Sequence, residues 1–201
     1  FMSGGDISEF ETLRATPEQI QVYDDQADRA FDAIKGASRP TVAVIRGYCI
    51  GGGLAVAISC DIRIATEGST FGIPAARLGL GYRAGGIRQL VDIVGPAAAK
   101  EIFFTGRQYG TGAAREMGLV QHVVPDAELD GFVEAYCATL GRNAPITMAS
   151  IKRIVDHITD HGGRYDPDWC RAQTDACFAS EDYVEGRRAF MEKRRPIFRG
   201  A

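Results

Sequence analysis

Two glycine-rich turns are the residues whose type and spacing best suit chemistry: Ser3-Gly4-Gly5-Asp6 and Gly51-Gly52-Gly53. Without side chains, these residues leave backbone N–H groups unshielded. The second run opens a small, apolar stretch from Gly51 to Cys60 that reads as a buried helix, so its free amides coincide with the positive end of a helix dipole. Taken singly, each turn serves a strand-to-helix connection equally well. Taken together, two separated N–H groups meeting on one carbonyl oxygen form an oxyanion hole able to hold a thioester enolate.

Other polar residues in the same region carry weaker signals. Tyr82 follows Leu78-Gly79-Leu80-Gly81, with Arg83 next to it and Arg77 nearby. The ordinary roles are a packed aromatic for Tyr82 and solvated or ion-paired arginines. A short carboxylate such as Asp6, next to free N–H groups, is suited to capping a turn. Cys49 lies close to the second glycine run, but no histidine is near it in sequence to make it a nucleophile.

The elements that must position these residues follow from periodicity. Thr16-Pro17 has the form of an N-cap followed by proline at the first helical position, and Ile20, Tyr23, Ala27, Phe31 and Ile34 recur at helical spacing up to Lys35-Gly36. Thr41 to Ile45 is a β-branched run of buried-strand length, Asp61 to Ala65 alternates as a strand does, and Thr70 to Pro74 resembles a shorter strand. Strand, helix, strand connections of this kind predict a largely parallel α/β layer. Beyond Gly81 the pattern is helical over Gly86 to Val94, Pro96 to Phe104 and Thr111 to Met117, with one strand at Val120 to Val124 and helices after it. Pro145 begins one late helix, and Ser180 caps another that carries Val184, Ala189, Phe190 and Met191.

Composition excludes several classes. A formal net charge of -3 and a charged fraction of 24% give no basic face for nucleic acid. No apolar run is long enough to span a bilayer. The five cysteines have no CxxC spacing, and the three histidines form no ligand cluster with them, which predicts a metal-free protein of a reducing, cytoplasmic setting.

FMSGGDI, GYCIGGGLAVAISCDIRIA, STFGIPAARLGLG, GGIRQLV, GLVQHVV and EGRRAFMEKRRPIF occur in that order along nearly the whole chain, and together they resemble the enoyl-CoA hydratase/isomerase (crotonase) superfamily. The resemblance implies an α/β fold, a crotonase-like spiral of ββα repeats over 1–124 with a C-terminal α-helical oligomerisation region over 125–201. It further implies homo-trimers or hexamers, and family strands that would precede Phe1. No separate cofactor is implied, since coenzyme A is part of the substrate.

Carried over residue by residue, the resemblance makes Gly5 and Gly52 the oxyanion-hole donors. Asp6 and Ile7 then border the substrate, and Phe190 and Lys193 fall on positions similar to contacts with the adenine and phosphates of CoA. A basic helix end complementing its dipole is an equal reading of Lys193. The two hydratase carboxylates do not carry over, because their positions hold Ala55 and Ala75. Alanine neither activates water nor delivers a proton, so ordinary hydration is not expected. The segment ending at Tyr82 resembles the one that presents a tyrosine to the substrate carboxylate in methylmalonyl-CoA decarboxylases, a reaction that removes no carbon-bound proton. Three readings therefore stand: a lyase or isomerase on acyl-CoA, a decarboxylase or hydrolase using Tyr82, and a catalytically silent CoA-binding protein.

Overall fold

The computed structural model describes residues 1–201. The chain divides into two compact units, one formed by Phe1–Ala37 and Thr41–Val133, the other by Ser38–Pro40 and Glu134–Ala201.

In the first unit a short α1 (Phe10–Leu13) leads into α2 (Pro17–Lys35). A full capping box starts α2: the Thr16 hydroxyl accepts from Gln19 N–H, and the Gln19 side chain accepts from Thr16 N–H at 3.2 Å. Proline at the next position needs no acceptor, so helix initiation is satisfied on every count. Next come β1 (Val42–Ile45), β2 (Tyr48–Ile50), α3 (Gly52–Ser59), β3 (Ile62–Thr66) and β4 (Thr70–Gly72). They are followed by α4 (Ala84–Thr105), β5 (Tyr109–Gly110), α5 (Thr111–Glu116) and β6 (His122–Val124). The expected pair of helices around residue 95 is one kinked element, broken at Gly95, whose φ of 76° lies outside helical space, ahead of Pro96.

The strands form two small sheets. In one, β3 lies between β1 and β6, parallel to both, with Val44 opposite Ile64 and Ala65 opposite Val123. In the other, β4 lies between β2, parallel, and β5, antiparallel, with Phe71 opposite both Cys49 and Tyr109. β2 is a strand that the sequence reading lacks; it follows β1 after only Arg46-Gly47 and runs straight into the glycine turn.

β3 departs from its expected alternation, since Arg63, Ile64, Ala65 and Thr66 are all buried. The charged member is accommodated because the Arg63 guanidinium donates to the carbonyls of Leu119 (2.7 Å), Cys60 (2.6 Å) and Ala57 (3.4 Å). Burial pushes its pKa down, but a guanidinium remains charged at neutral pH.

The last helices are α6 (Leu129–Gly141), α7 (Pro145–Asp160), α8 (Pro167–Phe178) and α9 (Glu181–Met191). Within the second unit, α7 meets α8 through the Ser150 hydroxyl, which donates to Gln173 O at 3.0 Å. The chain end folds back on α9, where the buried Asp182 carboxylate accepts from Arg199 N–H (2.7 Å) and Gly200 N–H (2.9 Å).

Candidate active site

The two glycine runs meet. Met2 docks on β2 as an isolated parallel bridge, donating from its N–H to Tyr48 O (2.8 Å) and accepting from Ile50 N–H (3.0 Å). This carries Gly4 and Gly5 onto the first turn of α3. A Cβ built on Gly52 would stand 3.5 Å from Gly4 Cα and 3.7 Å from Gly5 N. The turn depends on Gly51, whose φ of 56° and ψ of -118° lie where a side chain is strained. It depends equally on Gly53, where a Cβ would stand 2.1 Å from Met2 O.

Neither Gly5 N–H nor Gly52 N–H has an acceptor within the chain. Gly52 is the first residue of α3, so its amide is also one of the unpaired donors at a helix start. Both residues line a single cavity of about 260 Å³ in the first unit. Ile7, Ala55, Ala75, Tyr82, Tyr23 and Gln89 share its wall.

Both arginines of the wall are paired with aspartates, and Asp32 adds a further carboxylate to it. Arg14 and Asp24 form an ion pair at 3.1 Å with most of both side chains covered. Arg83 pairs closely with Asp28 and more loosely with Asp25 (3.8 Å) and Asp24 (3.9 Å). Neither arginine of the wall is thus a free cation for a substrate carboxylate.

The enoyl-CoA hydratase/isomerase family model matches residues 1–201, the whole chain. The chain belongs to that family. It is 31% identical over 199 residues to the short-chain-enoyl-CoA hydratase of Clostridium acetobutylicum, covering 97% of this chain and 74% of that one. It is 32% identical over 166 residues to the carnitinyl-CoA dehydratase of Escherichia coli, covering 81% and 64%. The chain therefore spans roughly two-thirds to three-quarters of the length of these relatives. Among solved structures, an enoyl-CoA hydratase/carnithine racemase from Magnetospirillum magneticum superposes with a TM-score of 0.93 at 34% identity, covering 100% of this chain and 74% of that one. The enoyl-CoA hydratase from Bacillus anthracis gives 0.90 at 28%, covering 99% and 76%. The α/β fold is that of the enoyl-CoA hydratases.

Seen as a member of this family, the chain brings Gly5, Gly52, Ile7 and Tyr82 to one cavity and leaves Asp6 and Arg77 off its wall. Asp6 caps the short 3₁₀ turn at Ile7–Glu9, accepting from Ser8 Oγ at 2.7 Å and Ser8 N–H at 2.9 Å, and the hydroxyl and then the amide hold its carboxyl below the usual range. Phe190 and Lys193 belong to the second unit, where Phe190 is strongly exposed on α9 and Lys193 follows it with a φ of 52°. Cys49 is fully buried and desolvation pushes its thiol up to about 12, so it is no nucleophile.

Ala55 and Ala75 are buried at 6% and 5% exposure, so the positions where the family's hydratases are expected to keep carboxylates supply shape here and no proton transfer. Tyr82 is largely buried, packs edge-on against Phe103 with ring centroids 4.9 Å apart, and burial raises its pKa. Its hydroxyl makes no hydrogen bond within the chain. The sequence reading missed Tyr23, Arg14, Asp24 and Gln89 as wall residues. Tyr23 sits in the apolar stripe of α2, and helical spacing alone cannot tell a core aromatic from one whose hydroxyl reaches a cavity.

Proposed function

We propose that this chain is an acyl-CoA thioester enzyme that stabilises a thioester enolate between the N–H groups of Gly5 and Gly52. The observation that carries this reading is the pair of unpartnered amides on one cavity, one of them at the start of α3. As negative charge gathers on the thioester oxygen, both donors are already in place and unspent on the protein, so no reorganisation precedes the reaction. Similarity to a hydratase and a dehydratase of CoA thioesters supports the substrate class.

The finer chemistry turns on Ala55 and Ala75. Hydration needs one group to activate water and another to protonate carbon, and neither alanine supplies one. Lyase or isomerase turnover of the usual kind is accordingly slow in this reading. The alternative, decarboxylation or hydrolysis of a carboxylated acyl-CoA, is favoured by Tyr82 on the cavity wall. In decarboxylation the bond from the α-carbon to the carboxylate breaks, carbon dioxide leaves, the electron pair becomes the enolate, and the two amides take the charge. With Arg14 and Arg83 held by aspartates, this reading gives the departing carboxylate to the uncharged donor of Tyr82. The open cavity with free amides counts against a silent CoA-binding protein.

The remaining features of the reading are trimeric or hexameric assembly through the second unit, CoA contacts from Phe190 and Lys193, and a cytoplasmic setting for five free cysteines. No helix is long and apolar enough to cross a membrane.

The test is turnover of crotonyl-CoA, a malonyl-type thioester and a saturated acyl-CoA by the full-length protein. Slow hydration of the first with measurable decarboxylation of the second, lowered in kcat and kcat/KM alike by Tyr82→Phe, is the outcome that the Tyr82 alternative requires. Hydration at an ordinary hydratase rate rules out the argument from the two alanines, and failure to bind any of the three removes the acyl-CoA reading.

A further inference from the structure

With alanine at both carboxylate positions, the side-chain oxygen that lies in front of Gly5 becomes the one to account for. Tyr23 points its hydroxyl at Gly5: a Cβ built on that glycine would meet the Tyr23 oxygen at 2.7 Å. Both residues line the cavity. The hydroxyl has no hydrogen-bond partner within the chain, so its donor is as unspent as the Gly5 and Gly52 amides.

The ring that carries this hydroxyl is fixed from several sides. Phe10 packs edge-on against it with centroids 6.0 Å apart. The Arg14 guanidinium lies 4.9 Å from the Tyr23 ring centroid and 5.0 Å from that of Phe10. Arg14 is itself pinned by Asp24 at 3.1 Å, one residue further along α2. A cation over an aromatic face, held by a largely covered carboxylate, orients the ring more firmly than an apolar contact alone. A surface tyrosine that merely packs would not require such a mount, nor an unshielded glycine in front of its oxygen.

We propose that Tyr23 is a catalytic residue of this site, donating a third hydrogen bond to the thioester oxygen beside Gly5 N–H. The proposal rests on the acyl-CoA reading given above. The hydroxyl keeps its proton throughout, and no bond at Tyr23 forms or breaks. Its contribution grows as the oxygen becomes an enolate, because a hydrogen bond to an ionised acceptor is roughly twice as strong as one to a neutral acceptor. Side-chain donation to the oxygen would add electrostatic stabilisation at a site whose positions 55 and 75 hold alanine.

The experiment uses acetoacetyl-CoA, a β-keto thioester that ionises to an enolate with its own ultraviolet absorption. Full-length wild type and Tyr23→Phe are titrated with acetoacetyl-CoA and with CoA alone. The expected result is that wild type binds the enolate, and that Tyr23→Phe weakens this binding about 10- to 100-fold while its affinity for CoA alone stays within about twofold. Tyr23→Phe removes one oxygen that bonds to nothing in the chain, and an unchanged melting curve checks that the fold is intact. Equal enolate binding by the two proteins overturns the role of Tyr23 and leaves the acyl-CoA reading standing. A wild type that binds CoA but never the enolate overturns the oxyanion hole together with Tyr23.

Discussion

The two units of the chain differ in how much apolar core they bury. In the first, Ile45, Leu54, Ile64, Phe71, Leu90 and Ile102 have almost no exposure, and every fully buried apolar residue of the protein except Ala189 lies there. In the second, Phe190 (82%), Met191 (79%), Ile151 and Phe178 stand largely exposed, and an apolar cavity runs between α7 and α9. A protein rarely leaves that much apolar surface uncovered. The first unit has a dense core with glycines packed to contact beneath an exterior that still shows Phe104 (76%) and Tyr48 (60%), whereas the second has almost no buried apolar residue of its own, and the proposed assembly would cover its exposed ones.

That contrast can be broken or sharpened by experiment. The largest effect is expected inside the first unit, where Ala55→Glu together with Ala75→Glu should raise crotonyl-CoA hydration by about 100- to 10,000-fold, the usual contribution of acid/base groups, measured as loss of the enoyl absorbance. No gain with intact folding would mean that the cavity lacks more than two carboxylates.

A pair of glycine substitutions compares the units directly. Gly53→Ala should destabilise the protein by about 3 kcal/mol, because its Cβ would strike Met2 O. Gly186→Ala, in the interior of α9 with only the Phe198 ring at an ordinary 3.6 Å, should instead stabilise by about 0.5 to 1 kcal/mol. Denaturant unfolding reads both, and similar values for the two would erase the distinction in packing.

On the second unit's surface, Phe190→Asp is expected to weaken self-association by about 2 kcal/mol per contact, seen as a shift to monomer in sedimentation, with the melting of the first unit little altered. Self-association equal to that of the wild type would show that Phe190 lies outside the covered surface.

The smallest effect concerns acid. Glu185 is held at about 2, below its ordinary 4.5, chiefly by hydrogen bonds from Arg194 and then by the Ile197 N–H. Since the folded state lowers this pKa, the contribution is complete above about 4.5 and is lost as the pH falls towards about 2. A fall in the protection factor of the Ile197 amide over that window, absent in Glu185→Gln, is the expected signature.

Much of this was legible in the residues themselves. The Thr16-Pro17 start of α2, the small apolar run of α3 and the break before Pro96 each follow from local chemistry that tertiary context did not override. β5 did not show, because two residues carry no periodicity, and β2 did not, because it sits between the end of β1 and the glycine turn and exists through its pairing with β4. Arg63 broke the alternation of β3 because the acceptors that satisfy it come from α3 and from Leu119, distant in sequence. Of the site, the glycines were readable, since the need for bare amides restricts residue type. Tyr23 was not, since a hydroxyl gains its meaning only from what folds in front of it.

Arg63 has a further consequence at the far end of the helix it caps. α3 is eight residues long, about 12 Å, so its negative pole lies close enough to oppose whatever positive potential its first amides offer an anion. Arg63 donates to the carbonyls of Ala57 and Cys60 at that pole and places a full positive charge on it. The helix therefore acts less as a dipole than as a single positive terminal opening at Gly52, and a buried side chain that lies off the cavity wall helps to set the potential at that end.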